Sequence, residues 1–320
     1  MAPSHLHSKI LGGLWGALTG DALGVPVEFQ SRPKVRTHPV TGMRGYGTHG
    51  QPAGTWSDDS SLLLCSAESL ADRRTLDLED LGERFVRWYR HAHWTPHGRV
   101  FDIGVATRKA LVILEAGCPP ELAGGADPYD NGNGSLMRIL PVALAFAEAP
   151  AAILAERAQL ASCVTHRHSR SQMACAYYCL FVRALLQGAS PAEALASTNA
   201  ALPGLFGEEP FRAERLNFQM LEDGRLAHRP EDEIKSSGYV LHTLTASVWC
   251  LLTSHSFEEI VLKAVNLGED TDTTGTVAGG LAGVCYGLDA IPADWRRQLA
   301  RHDDVAALFQ TFLSTLPIAP

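Results

Sequence analysis

Two carboxylates and three hydroxyls occupy the five consecutive positions Asp270, Thr271, Asp272, Thr273 and Thr274, and the chain then turns into a run of small and apolar residues ending at Gly287. Side chains that offer only oxygen suit hard cations such as Mg²⁺, Mn²⁺ or Ca²⁺, and carboxylates this close repel one another unless a cation neutralises them. The same residue types also cap ordinary helix starts, where they complement the macrodipole. A second cluster, Ser57-Asp58-Asp59-Ser60-Ser61, stands far upstream and likewise runs into an apolar stretch, Leu62 to Cys65. Two such helix starts facing each other across a cleft would offer Ser57, Asp58, Asp59, Asp270, Asp272 and Thr273 to a pair of cations about 4 Å apart, the separation of two-metal sites. Two independent helix caps are the plainer alternative.

Other positions carry weaker signals. Glu28 follows Gly24-Val25-Pro26-Val27, an apolar setting in which a carboxylate needs a partner. A cation or a substrate hydroxyl would supply one; a solvated loop position is the alternative. Asp102, in Phe101-Asp102-Ile103-Gly104, precedes another helix and reads first as its cap. In the loop Asn131-Gly132-Asn133-Gly134-Ser135 the glycines allow backbone amides to approach a ligand, and the helix start that follows favours an anion such as phosphate. Asn-Gly pairs are also ordinary turns. His166 and His168 are structural or substrate-facing, because the acidic clusters suit harder cations than imidazole does. Tyr239 opens an apolar helix, either as a buried aromatic or as a stacking platform for a base.

The elements that must position these residues are helical almost throughout. Apolar residues recur with helical period over 9–23, 61–71, 78–89, 107–115, 136–148, 151–163, 170–186, 239–252, 257–266, 273–286 and 305–316, while alternating β-branched runs are nearly absent. An all-α fold follows, a compact orthogonal helical bundle with the metal cleft between helix starts. Gly12, Gly16, Gly20 and Gly24 fall four apart, and Gly275, Gly279, Gly283 and Gly287 repeat the spacing. Each glycine costs a helix interior up to about 1 kcal/mol against alanine, so the two stripes predict close backbone approach at the centre of the core.

With 320 residues and no Pro/Ser-rich linker or charge run, the chain reads as one domain over 1–320. A net charge of −8 with scattered Lys and Arg gives no footprint for a nucleic-acid backbone. The seven cysteines never form Cys-x-x-Cys and sit in apolar patterns, which suits free thiols in a reducing cytoplasm. No secretory leader opens the sequence and no run reaches the ~18 consecutive apolar residues of a membrane span, so a soluble, cytoplasmic protein without membrane contact is expected.

In order along the chain, Gly20-Asp-Ala-Leu-Gly-Val-Pro-Val-Glu28, Gly54-Thr-Trp-Ser-Asp-Asp59, Phe101-Asp-Ile-Gly104, Gly132-Asn-Gly-Ser-Leu-Met-Arg138, Ser237-Gly-Tyr-Val240 and Gly268-Glu-Asp-Thr-Asp-Thr273 resemble the motifs of the ADP-ribosylglycohydrolase family, most closely its bacterial dinitrogenase reductase-activating branch. The resemblance implies an all-α fold, two Mg²⁺ or Mn²⁺ ions and hydrolysis of the N-glycosidic bond joining ADP-ribose to a protein arginine. It places Ser57, Asp58, Asp59, Asp270, Asp272 and Thr273 on the metals, with Ser57 where the family usually has Thr. It places Glu28 and Asp102 at the ribose, as candidates for proton transfer. Asn131, Gly132, Asn133, Gly134 and Ser135 come near the phosphates, Met137 and His166 with the substrate, and Tyr239 on adenine. Two departures stand out: Val105 where Asn is expected, and Glu269 where Gly is frequent.

The partners implied are ADP-ribosylated protein and ADP-ribose itself. The ligand set does not distinguish arginine from a serine, nucleobase or O-acetyl-ADP-ribose linkage, or from a two-metal phosphohydrolase, because leaving-group recognition would come from loops such as 32–52 and 202–230. A non-catalytic ADP-ribose binder is the alternative outside the enzymes.

Overall fold

The computed structural model describes residues 3–317, and among them there is no strand, only isolated bridges such as Gly132 to Tyr239. The centre is a pair of antiparallel helices, Pro3–Gly24 and Thr271–Tyr286, packed along their whole length. Their glycines face each other. A Cβ at Gly12 would lie 2.4 Å from the Gly283 carbonyl oxygen, one at Gly16 2.3 Å from that of Gly279, and one at Gly20 1.9 Å from that of Gly275. Side chains are thus excluded from the seam, as the stripes predict.

The first helix is apolar enough over His5–Val27 to cross a membrane by composition alone, but its apolar window is wholly buried in the protein. Helices Ser169–Leu186, Val240–Leu252 and Phe257–Val265 pack about the central pair, while Asp58–Arg73 joins it to Leu78–His91 and His302–Thr315.

Most boundaries follow local chemistry. Ser57 caps Asp58–Arg73 by accepting from the Asp59 amide, and Ser256 caps Phe257–Val265 by accepting from Glu259. The helix expected over 136–148 is shorter, Leu140–Ala145, because Pro141 has no amide to donate and fits only the first turn. The residues before it stay a loop. A helix over Pro191–Leu205 lies outside the periodic segments, although Ser190 and Glu193 form a capping box at its start. Its Ala-rich sequence keeps few side chains buried, so apolar period is a poor guide to it. The stretches expected as loops, 32–52 and 202–230, contain the short helices Arg32–Thr37, Phe211–Glu214 and Gln219–Glu222.

The seam makes a direct prediction. Gly20→Ala should destabilise the protein by about 1–3 kcal/mol or more, since the added methyl meets fixed backbone. Gly204→Ala, in a helix and with nothing within 4 Å of the new methyl, should be neutral or slightly stabilising. Denaturant midpoints read both; equal midpoints for the two variants would contradict the seam.

Candidate active site

The two carboxylate clusters meet because the central helix pair carries them to one end. Gly24 ends the first helix directly against the start of the second, where a Cβ would lie 2.4 Å from the Asp272 Cα, and Thr271 Oγ1 donates to the Gly24 carbonyl at 2.8 Å. The chain after Gly24 is therefore held beside Asp270–Thr273. The Phe29 amide donates to the Glu269 carbonyl and the Glu269 amide to the Gln30 carbonyl, each at 2.7 Å, with Phe29 and Glu269 both at positive φ, 61° and 63°. That backbone at Glu269 is one glycine adopts without strain, which accounts for the residue expected there. The Glu269 side chain is exposed.

Asp58–Arg73 enters from the other side. Asp21, one turn before the end of the first helix, is fully buried and accepts from the amides of Ser57 and Ser60 and from the Ser60 hydroxyl. It thereby anchors the second helix start to the central pair. Ser57 Oγ donates to Asp59 Oδ2 at 3.1 Å, and Thr273 Oγ1 reaches the same oxygen at 3.3 Å, joining the two clusters directly. The Gly104 amide donates to Asp58 Oδ2 at 3.4 Å.

Glu28, only 5 % exposed, stands between two groups of ligand-type atoms. Its carboxylate lies within 4.8 Å of carboxylate oxygens of Asp270 and Asp272, and within the same distance of His49 and Asp102. His49 Nε2 donates to Glu28 Oε2. Asp102 is not a helix cap. The cap of Val105–Glu115 is Gly104, and the Asp102 carboxylate faces Glu28 and His49 instead. Val105 is the first residue of that helix and 71 % exposed, so the expected Asn is replaced by an apolar side chain turned to solvent.

Burial dominates the electrostatics. It pushes Asp58, Asp59 and Asp272 well above the ordinary carboxylate range, reinforced by their acidic neighbours, and raises Asp270 despite the Asn133 hydrogen bond. Glu28 is pushed up to about 7, by burial first and then by the charges of Asp102 and Asp270, with His49 opposing. His49 is raised in turn by its hydrogen bond to Glu28.

Three buried oxygens, Asp59 Oδ1, Asp270 Oδ1 and Asp272 Oδ2, have no hydrogen-bond partner among the described residues. An unpartnered buried carboxylate oxygen is costly, and a divalent cation satisfies several such oxygens at once. The residues read from sequence therefore fit a metal centre, and Glu28 stands beside it.

The opposite wall is built from the 131–135 loop and its neighbours. The Asn133 side-chain amide donates to Asp270 Oδ2 at 2.9 Å and to Thr243 Oγ1 at 2.8 Å, while the Asn133 backbone amide donates to the Gly238 carbonyl. Tyr239 is half-buried, edge-on to His242, and its hydroxyl accepts from Arg170 at 3.2 Å.

His166 packs over the loop, its Nε2 3.4 Å from where a Cβ on either Gly132 or Gly134 would stand. Burial, then the Arg138 charge, lowers its pKa to about 3, so the ring is neutral. Arg138 donates to Thr165 Oγ1 at 2.8 Å, and the same hydroxyl is hydrogen-bonded to His166 Nδ1 at 2.9 Å. By contrast, Asn131 is tied to Ser171 and Pro128, Ser135 accepts from Ser162 in the core, and Met137 is buried. These three side chains shape the loop rather than face the acidic group. His168 caps Ser169–Leu186 through Nδ1.

His49 and Asp21 are the residues that sequence reasoning missed. The 29–52 stretch is rich in His and Gly without periodic pattern, and Asp21 lies inside an apolar helix, where only its buried position reveals a partner.

A helical fold with carboxylates gathered at two abutting helix starts fits a cation-binding class of protein. The ADP-ribosylglycohydrolase family profile matches residues 2–317, and the chain belongs to that family. It is 33 % identical over 318 residues to the ADP-ribosylarginine hydrolase Tri1 of Pseudomonas putida (strain GB-1), covering 99 % of this chain and 81 % of that protein. It is 30 % identical to the ADP-ribosyl-[dinitrogen reductase] glycohydrolase of Rhodospirillum rubrum, covering 93 % and 92 %. A solved structure described as an ADP-ribosylglycohydrolase-related protein complex superimposes with a TM-score of 0.78 at 35 % identity, over 98 % of this chain and 99 % of that one.

The raised carboxyls give a pH signature in chelator-treated protein. Glu28 shifts from 4.5 to about 7 and Asp21 from 3.8 to about 6, so between these values the folded state binds more protons than the unfolded one. Their stability contribution is present below about pH 4 and lost as pH rises to 7, by about 1.4 kcal/mol per pH unit for each group being crossed. Thermal melts from pH 5 to 7.5 should fall without metal and flatten with Mn²⁺ added; a metal-free melting temperature that rises over this range would contradict the site electrostatics.

Proposed function

We propose that this protein is a metal-dependent hydrolase that removes ADP-ribose from ADP-ribosylated arginine on a protein. The observation that carries the reading is the trio of unpartnered buried oxygens on Asp59, Asp270 and Asp272, in a chain a third identical to ADP-ribosylarginine hydrolases. Ser57, Asp58, Asp59, Asp270, Asp272 and Thr273 would hold two Mg²⁺ or Mn²⁺ ions, with Glu28 beside them. Ions bound there supply Lewis acidity, polarising ribose hydroxyls and lowering the pKa of water.

The chain's own residues would do the rest. The 132–134 loop and the His166 ring packed over it would hold the pyrophosphate, Tyr239 would stack on adenine, and the ribose would lie between Asp270 and Glu28. Hydrolysis forms a bond from water oxygen to the anomeric carbon and breaks the carbon–nitrogen bond to guanidine, which leaves with a proton. Glu28, with a pKa near neutrality and a hydrogen bond to His49, is placed to take the water proton and pass one to the departing nitrogen. Asp102 would hold His49 and balance charge as it builds on the ribose. The free thiols of all seven cysteines support a reducing, cytoplasmic setting.

Incubating an arginine-ADP-ribosylated protein with the enzyme and Mg²⁺ or Mn²⁺ should release free ADP-ribose. Release should stop with chelator and in Asp270→Asn. Glu28→Gln should lower turnover by about 10²–10⁴ while metal binding persists. ADP-ribose that binds without any release from the arginine substrate would make the protein a binder; release from serine-linked substrate alone would change the linkage.

A further inference from the structure

Resting on the reading above, we infer that a cluster of aromatic rings at the His49 end of the cleft, Phe29 and Phe101 each beside His49, is the seat of the leaving guanidinium and sets the preference for arginine-linked substrate. The order of contacts across the cleft carries the argument. Tyr239 and the Gly132–Gly134 loop stand at one end, Asn133 bonds Asp270, Asp270 neighbours Glu28, and Glu28 bonds His49. His49 then lies 5.3 Å from the Phe101 ring and 5.9 Å from the Phe29 ring, centroid to centroid. The substrate is itself linear: adenosine, pyrophosphate, ribose, guanidine, peptide. With adenine and phosphates at the Tyr239 end and the anomeric carbon between Asp270 and Glu28, the guanidine falls to the rings.

Two features fit a cation there. Both rings neighbour His49, whose ring nitrogen lies within 4.8 Å of carboxylate oxygens of Glu28 and Asp102, so a planar cation beside the rings would meet quadrupole and charge of the same sign. Phe29 also presents a large apolar ring outside the core. It is 69 % exposed, with its backbone in the left-handed region at φ 61°, pinned by its amide hydrogen bond to Glu269. A bulky side chain in that conformation is strained, and such strain concentrates where a side chain must be presented to a ligand.

The test is a Phe29→Leu, Phe101→Leu double variant, which keeps apolar area and removes the π faces. On an arginine-ADP-ribosylated protein its kcat/KM should fall about 5- to 30-fold, the range for the loss of two solvent-exposed cation–π contacts together. Its affinity for ADP-ribose, which lacks the guanidine, should match the wild type. Unchanged kcat/KM would overturn the seat, and so would a parallel loss of ADP-ribose affinity, since the rings would then be holding the site's shape alone. Failure of the proposed function reads differently: the wild type itself would then release no ADP-ribose from arginine.

Discussion

Everything at the site depends on the backbone contact between Pro3–Gly24 and Thr271–Tyr286. Where Gly20 meets the Gly275 carbonyl, any side chain would force the helices apart, and the displacement would be felt at their shared end, where Gly24 touches Asp272. That end is where the chemistry is gathered. The same contact orders the chain up to Glu28 against Asp270 and lets Asp21 hold the start of Asp58–Arg73. A small-residue seam of this kind contributes little apolar area for its length. The large side chains that stabilise the fold, such as Trp56, Phe85 and Phe181, are buried elsewhere, which leaves the seam to set geometry.

The second constraint is charge. Asp58, Asp59, Asp270, Asp272 and Glu28 are gathered in a space that burial makes hostile to anions, and their oxygens are only partly satisfied by Ser57, Thr273, Asn133 and the Gly104 amide. A protein does not keep such a group for stability. The cost falls on the metal-free state; a cation bound there would remove it and would link metal binding to folding.

Much of this was legible in the sequence, for reasons that can be named. Ser57-Asp58-Asp59 and Asp270-Thr271-Asp272-Thr273 announce helix starts by residue type, and both helices begin there. The four-residue glycine spacing foretold a central pair, because repeated helix glycines have few uses other than close approach. By residue type alone Asp102 reads as a cap, because capping chemistry and ligand chemistry use the same side chain; the motif resemblance puts it at the ribose, and its carboxylate stands beside Glu28 and His49. His49 was invisible because a loop histidine carries no period. The Pro191–Leu205 helix was passed over, although its Ser190-Pro191-Ala192-Glu193 start is a capping box with proline in the first turn.

The account stands or falls on divalent cations binding at the joined helix starts. The most direct measurement is Mn²⁺ titration of chelator-stripped protein, following the electron paramagnetic resonance signal of free aqueous Mn²⁺. The account predicts uptake of two ions per chain, competed by Mg²⁺ and greatly weakened in Asp272→Asn with the fold retained by circular dichroism. A signal that grows from the first addition in the wild type, or uptake unchanged in Asp272→Asn, would contradict it.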